Sequence, residues 1–208
     1  MSDSAALRAQ FGGIDIYLFD QLLRGRFDNR RRVLDAGCGS GRNLPYFLAR
    51  NFEIHAIDGD PRAVSDARAL VAALAPDAPP DRVRQGALDA LPWPDAAMDA
   101  VVCSAVLHFA RDRAHFDTMI DEMWRVLTPG GLFFARLATS IGIEALIAAP
   151  TGRVRLPDGS ERFVVDEATL LETTARLGGS LADPIKTTNV QNQRCMTTWV
   201  IESPIPDR

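Results

Sequence analysis

The chain has 208 residues, with 47% hydrophobic and 24% charged side chains and a formal net charge of −4. That length and apolar content suit one domain with a sizeable core and exclude wholesale disorder. The acidic balance argues against a dedicated nucleic-acid binder, which carries a basic footprint, and no apolar run approaches the roughly 20 residues of a membrane-spanning helix.

The opening segment, MSDSAALRAQF, lacks a basic stretch followed by an apolar core, so no secretory leader is expected. Ile14 to Leu23 reads as an amphipathic helix, and residues 1–29 as a helical cap on a single domain spanning 1–208. Val33 to Ala36 is a short buried strand that runs into a glycine cluster, and a helix follows from near Arg42 to Arg50. Phe52 to Ile57 alternates as a second strand and ends at Asp58; Pro61 then opens a helix to about Leu74, since proline suits the first helical position. Residues 77–81 form a loop, and Arg82 to Gly86 is the third strand. The rigid loop Leu91–Asp95 leads to a fourth strand, Met98 to Ser104. Ala114 to Leu127 reads as a helix stopped by Pro129-Gly130-Gly131, and Leu132 to Leu137 as the fifth strand. This alternation predicts a parallel sheet with right-handed crossovers.

Beyond Ala138 the pattern changes. Ile141 to Ala149 is apolar and predicts a short helix. Arg153–Leu156 and Arg162–Val165 flank Pro157-Asp158-Gly159, a hairpin signal. Asp166 is placed to cap a helix reaching Leu177 and closed by Gly178-Gly179. Ile185–Gln191 and Arg194–Glu202 read as two strands joined by a tight turn, so the sheet ends in an antiparallel hairpin. Cys38, Cys103 and Cys195 are odd in number and scattered, with no CxxC pair. Neither a disulfide framework nor a zinc site is expected, and a reducing cytoplasm is the simplest compartment.

The segment Val33-Leu34-Asp35-Ala36-Gly37-Cys38-Gly39-Ser40-Gly41 is the most informative. A buried strand enters a glycine turn that lets a ligand approach the backbone, and the following helix offers unpaired N–H groups. The glycines at 37, 39 and 41 do not have the GxGxxG spacing of the dinucleotide fingerprint. Asp35 suits the ammonium of an amino-acid moiety and would repel a pyrophosphate. Asp58, at the carboxyl end of the second strand, can accept two hydrogen bonds from a vicinal diol. Asp60 is the rival, and a helix cap is its better role.

VLDAGCGSGRN, HAIDGDP, LPWPDAAMDAVVCSAVLHF and MWRVLTPGGLFFARL stand in that order. In them the chain resembles the class I S-adenosylmethionine-dependent methyltransferases, in the small-molecule, methyltransferase type 11-like subgroup. The likeness covers residues 30 to 137 and, more loosely, the remainder. It implies an α/β, Rossmann-like, doubly wound sheet of seven strands, mostly parallel, with a C-terminal antiparallel hairpin. It implies S-adenosyl-L-methionine as cofactor, contacted by Asp35, Gly37, Cys38, Gly39, Asp58, Gly59, Ala87, Leu88 and Ser104. In the family an acidic residue after the third strand often meets the adenine amino group. Here that position is Ala87, so either Asp89 is presented by a shifted loop or the backbone of Ala87 and Leu88 holds the ring; the backbone is favoured.

His108 follows the fourth strand and is the candidate catalytic base, because histidine titrates near neutrality. The alternative is a histidine that shapes the pocket wall or caps the adjoining turn. Tyr17, His108 and Arg136 are the candidate substrate contacts, Arg136 and Arg194 being placed to favour an anionic acceptor or to form surface salt bridges. The segment 140–165 is an insertion where substrate-selecting elements are expected. His55 and His115 are scattered, and no metal is expected. The implied reaction is in-line methyl transfer to a small-molecule oxygen, nitrogen, sulfur or metalloid oxyanion by a monomer or homodimer, without nucleic-acid or membrane partners. Two other readings stay open: a catalytically silent cofactor-binding partner protein, and a nicotinamide-dependent oxidoreductase.

Overall fold

The computed structural model describes residues 3–205. The chain opens with α1 (Asp3–Phe11) and α2 (Ile16–Leu23). Periodicity could not announce α1, because none of its residues is buried. α2 starts two residues later than the apolar run suggests. Asp15 is extended, and its side chain accepts the Tyr17 N–H, which makes it the cap and not the first turn.

Then follow β1 (Arg32–Ala36), α3 (Leu44–Ala49), β2 (Glu53–Asp58), α4 (Pro61–Leu74), β3 (Val83–Gln85), β4 (Met98–Ser104), α5 (Arg113–Arg125) and β5 (Leu127–Thr139). α4 and β4 have the bounds read from the sequence. α3 begins at Leu44, not near Arg42, with Pro45 in its first turn where a missing N–H is harmless. α5 ends at Arg125, and β5 passes through Pro129-Gly130-Gly131 instead of starting after them. The reason is pairing: Leu127 already lies opposite Met98, and a register shift between Met98 and Ala100 absorbs the Pro-Gly-Gly kink.

The remaining elements are β6 (Gly152–Arg155), β7 (Glu161–Val164), α6 (Glu167–Arg176), β8 (Ser180–Leu181), β9 (Lys186–Val190) and β10 (Arg194–Glu202). β6 and β7 form the expected antiparallel hairpin, and Asp166 caps α6 through the Thr169 N–H. The predicted helix over Ile141–Ala149 is absent; only a single 3-10 turn, Glu144–Leu146, forms there. Gly142 sits at φ +85°, outside the helical region, and Ser140 is held by a bond from its N–H to the Val165 carbonyl.

Among the described residues, one sheet runs in the order β3-β2-β1-β4-β5-β10-β8, with β9 also paired to β10. β9 covers Arg194–Thr198 of β10 and β8 covers Ile201–Glu202, so the two share one edge position. Seven strand positions result. The first five strands are parallel, and β10 is antiparallel to β5.

Both faces of this sheet are covered, as a parallel sheet requires. Leu132, Phe134 and Val200 pack with Leu18, Phe47, Val64 and Val71 beneath α2, α3 and α4. Phe133, Ala135 and Trp199 pack with Phe116, Ile120, Met123 and Leu170 beneath α5 and α6. A smaller cluster of Ala138, Ile143, Val154, Leu156, Val164 and Cys195 seats the β6–β7 hairpin on the sheet. The chain winds outward from β1 to β3, then back to β4 and β5. A crevice therefore opens at the carboxyl ends of β1 and β4, the switch point where open α/β sheets bind ligands.

Candidate active site

The turn after β1 fills one side of that crevice. Gly37 and Gly39 have φ of +79° and +53°. A Cβ at Gly37 would collide with Val106, whereas one at Gly39 would meet no atom within 4 Å. So Gly37 permits close packing and Gly39 leaves open space. The Gly37 and Cys38 N–H groups donate to the Ile57 carbonyl at 2.8 and 3.0 Å, tying the turn to β2. Asp58 joins three segments: its Oδ2 accepts the Gly39 N–H at 2.8 Å and its Oδ1 the Asp60 N–H at 2.9 Å. Asp60 caps α4 through the Arg62 N–H, as expected of it.

Gly37, Cys38, Gly39, Asp58 and Ser104 line a cavity of about 430 Å³, with Phe109 on its rim. Asp35 lies near it, 2% exposed, with neither carboxylate oxygen hydrogen-bonded. Burial pushes its carboxyl up to about 7, against the pull of Asn43 and Arg42. A buried, unpaired carboxylate is costly, and a cationic ligand group beside it would relieve that cost. The orphaned acid and the open space at Gly39 fit an aminocarboxypropyl group. Gly59, Ala87 and Leu88 do not line this cavity. They lie at its side, where a Cβ on Gly59 would sit 3.9 Å from the Gly86 carbonyl and the Gly86 N–H bonds the Asp58 carbonyl at 3.0 Å. Asp89 faces away to α5, 3.4 Å from His115 and 3.7 Å from Arg111.

A second cavity of about 240 Å³ opens beside the first, and both are bordered by Ala105. Ala105 has φ +66°, a left-handed conformation rare for alanine, and its N–H bonds the Arg136 carbonyl at 2.7 Å. His108 and Arg136 line this cavity, with Arg162 from β7 and Arg194 from β10. His108 is buried, and its Nδ1 accepts the Ala138 N–H at 3.3 Å. Burial, then the charges of Arg162, Arg136 and Arg194, hold its pKa down to about 4. The Arg136 guanidinium lies 4.9 Å over the Tyr17 ring, and the Tyr17 hydroxyl meets Thr188 Oγ1. Arg194 is half-exposed and pairs with Asp158 at 3.5 Å. His55 bonds Glu53 in β2, and His115 accepts the Arg111 N–H, so neither reaches a cavity.

Asp15 is the residue that sequence reasoning missed. It is 4% exposed. Its Oδ2 accepts from Ser104 at 2.8 Å, Arg136 at 3.3 Å and Arg42 at 3.4 Å, while its N–H donates to Asn43 Oδ1 at 3.0 Å. One carboxylate thus fastens the N-terminal cap to both cavities. Its position as a helix cap was the available signal, hidden by starting that helix at Ile14.

No helix among the described residues is long and apolar enough to cross a membrane, and no cluster of three or more His, Cys, Asp or Glu is placed to hold a metal. Residues 34–135 match the family model described as a methyltransferase domain. A protein of Mycolicibacterium smegmatis, named as a probable S-adenosylmethionine-dependent methyltransferase, is 36% identical over 103 residues, covering 50% of this chain and 36% of its own length. This chain spans half or less of each curated relative it matches. In fold, it is similar to a crystal structure of a Pyrococcus horikoshii protein with TM-score 0.71, at 16% identity and covering 97% and 92% of the two chains. It is also similar to 1,6-didemethyltoxoflavin-N1-methyltransferase of Burkholderia thailandensis, solved with 1,6-didemethyltoxoflavin and S-adenosylhomocysteine. There the TM-score is 0.66 at 19% identity, over 97% and 86% of the chains. Residues 34–135 therefore carry a methyltransferase domain, and the chain as a whole is similar in sequence and fold to S-adenosylmethionine-dependent methyltransferases.

Proposed function

We propose that this chain transfers a methyl group from S-adenosylmethionine to a small molecule seated in the cavity beside His108 and Arg136. The observation that carries this is the meeting of the two cavities at Ala105. One holds the glycine turn and Asp58; the other is a half-enclosed recess of a size for a small acceptor. Bound there, the cofactor supplies a methyl group already activated as a sulfonium, so the chain need not build a leaving group.

The chain's own part is holding and orienting. Asp58 accepts both ribose hydroxyls with lone pairs left free by the Gly39 and Asp60 bonds. Asp35 faces the ammonium, and Gly39 leaves room for the aminocarboxypropyl arm in the cavity that Gly37, Cys38 and Ser104 also line. Gly59 and the backbone of Ala87 and Leu88 hold the adenine. The engagement of Asp89 with α5 supports that choice over its side chain. Orientation of the acceptor in line with the sulfonium supplies several kcal/mol of the barrier reduction.

His108 acts as a hydrogen-bond donor in this scheme, not as the base. With Nδ1 taking the Ala138 N–H, the neutral ring carries its proton on Nε2. A pKa held at about 4 leaves the ring neutral at pH 7. Arg136 lines the same cavity, and Tyr17, which does not line it, acts through the stacking of its ring on that guanidinium.

Calorimetry with S-adenosylhomocysteine tests the assignment. The wild type binds it, and Asp58→Asn weakens binding about tenfold or more. Tight NAD binding without S-adenosylhomocysteine binding overturns it. Binding without turnover on any of a broad panel of acceptors leaves a silent partner protein.

A further inference from the structure

The acceptor cavity is more basic than a neutral acceptor requires. Three guanidinium groups, from Arg136, Arg162 and Arg194, border it against one carboxylate, Asp158. Asp158 is already engaged, accepting from Ser160 Oγ at 2.6 Å and pairing with Arg194 at 3.5 Å. Arg136 leans on Asp15 at 3.3 Å, but the same carboxylate oxygen also serves Arg42 at 3.4 Å. One anion is thus divided between two cations. The Arg136 Nε is sealed from solvent and donates to nothing among the described residues.

Arg162 is the least compensated. Among the described residues it has no carboxylate partner. Its guanidinium donates to the Glu161 carbonyl at 2.8 Å and lies 5.0 Å over the Phe109 ring. Those contacts aim the planar fork without neutralising it. The β6–β7 hairpin that carries it is fixed in turn, since the Asp158 N–H bonds the Gln193 carbonyl at 3.2 Å. His108 adds the Nε2–H donor described above. Cations gathered around a small, half-enclosed space repel one another, and an anion among them turns that repulsion into attraction. Arginine forks match the planar, two-oxygen geometry of a carboxylate or the oxygens of a phosphate.

We propose that the methyl acceptor carries an anionic oxygen group, carboxylate or phosphate, held in this cavity by Arg162 and Arg136 with His108 as the third donor. This rests on the methyltransferase reading of the same site. The cavity, about 240 Å³, lies below the roughly 300–1,000 Å³ of pockets for drug-sized ligands, so the acceptor is a small metabolite. The insertion at 140–165 then supplies Arg162 as the residue that selects the acceptor.

Full-length protein saturated with S-adenosylhomocysteine is titrated with benzoate, phenyl phosphate and benzyl alcohol. Both anions are expected to bind at millimolar concentration or better, more weakly as salt rises, and benzyl alcohol about tenfold or more below them. Tighter binding of phenyl phosphate than benzoate assigns a phosphate-bearing acceptor; the reverse assigns a carboxylate. Arg162→Gln weakens the anions about tenfold, while Arg155→Gln, on the exposed side of the same hairpin, leaves them unchanged. Equal binding of benzyl alcohol, no binding of either anion, or unchanged binding in Arg162→Gln overturns the inference. S-adenosylhomocysteine binding in the same samples separates the two levels. If it persists without anion preference, only the acceptor class falls; if the wild type never binds it, the methyltransferase assignment falls first.

Discussion

Replacing Asp35 with asparagine removes an ionisable group while keeping shape, and the structure sets the size of the effect. The carboxyl is buried without a hydrogen-bond partner and raised from 3.8 to about 7. A shift of about 3 units, at 1.36 kcal/mol each, makes its ionisation in the ligand-free protein cost about 4 kcal/mol. The folded state holds this proton more tightly than the unfolded state. The stability it contributes is therefore complete below about pH 4 and is lost as pH rises through about 7. An ammonium beside Asp35 reverses that balance, because it favours the ionised form. At pH 6 the ligand-free carboxyl is mostly protonated, so binding S-adenosylhomocysteine should release protons to the buffer. Calorimetry at pH 6 in two buffers of different ionisation enthalpy measures that release directly. In Asp35→Asn the release should vanish and affinity fall about 10- to 100-fold, the weight of a charge-assisted hydrogen bond. Equal proton release in the two proteins would show that the ammonium does not face Asp35.

His108 has the opposite sign. Its folded pKa of about 4 lies below the ordinary 6.5, so its contribution is present above pH 6.5 and lost as pH falls toward 4. The two slopes oppose each other in the wild type; Asp35→Asn should expose the His108 limb as a steeper loss of stability below pH 6.5 in urea unfolding. Asp15→Ala removes a helix cap and unpairs Arg42 and Arg136, so about 3 kcal/mol of stability should be lost in the same assay. Gly39→Ala strains a residue at φ +53° by about 1 kcal/mol and puts a methyl group into open space. Stability should drop by that amount while S-adenosylhomocysteine affinity falls about tenfold. Asp89→Ala should leave that affinity within about threefold by calorimetry, because the carboxylate is turned to His115; a tenfold loss would place Asp89 on the adenine.

What the sequence revealed follows the range of the interactions involved. α4 and β4 were legible to the residue because Pro61 and the short apolar run Ala100–Cys103 act locally. The β6–β7 hairpin and the Asp166 cap were legible for the same reason. The start of β5 was not, because cross-strand pairing with Met98 overrides the Pro-Gly-Gly stop. The helix expected over Ile141–Ala149 failed where Gly142 and a tertiary bond at Ser140 win over apolar content. The two cavities divide along the same line. The family match covers residues 34–135 and takes in the glycine turn, Asp58, Ser104 and His108. It ends one residue before Arg136 and leaves out Asp15, Tyr17, Arg162 and Arg194. Asp15 reaches its partners across 27, 89 and 121 residues of chain, a span that no local motif encodes. The cavity at the glycine turn is thus lined by residues inside the matched stretch, whereas the second cavity joins Ala105 and His108 of that stretch to Arg136, Arg162 and Arg194 beyond it. Since Asp15 grips Arg42 and Ser104 on one side and Arg136 on the other, the N-terminal cap belongs to the site. A displacement of α2 must be felt in both cavities at once.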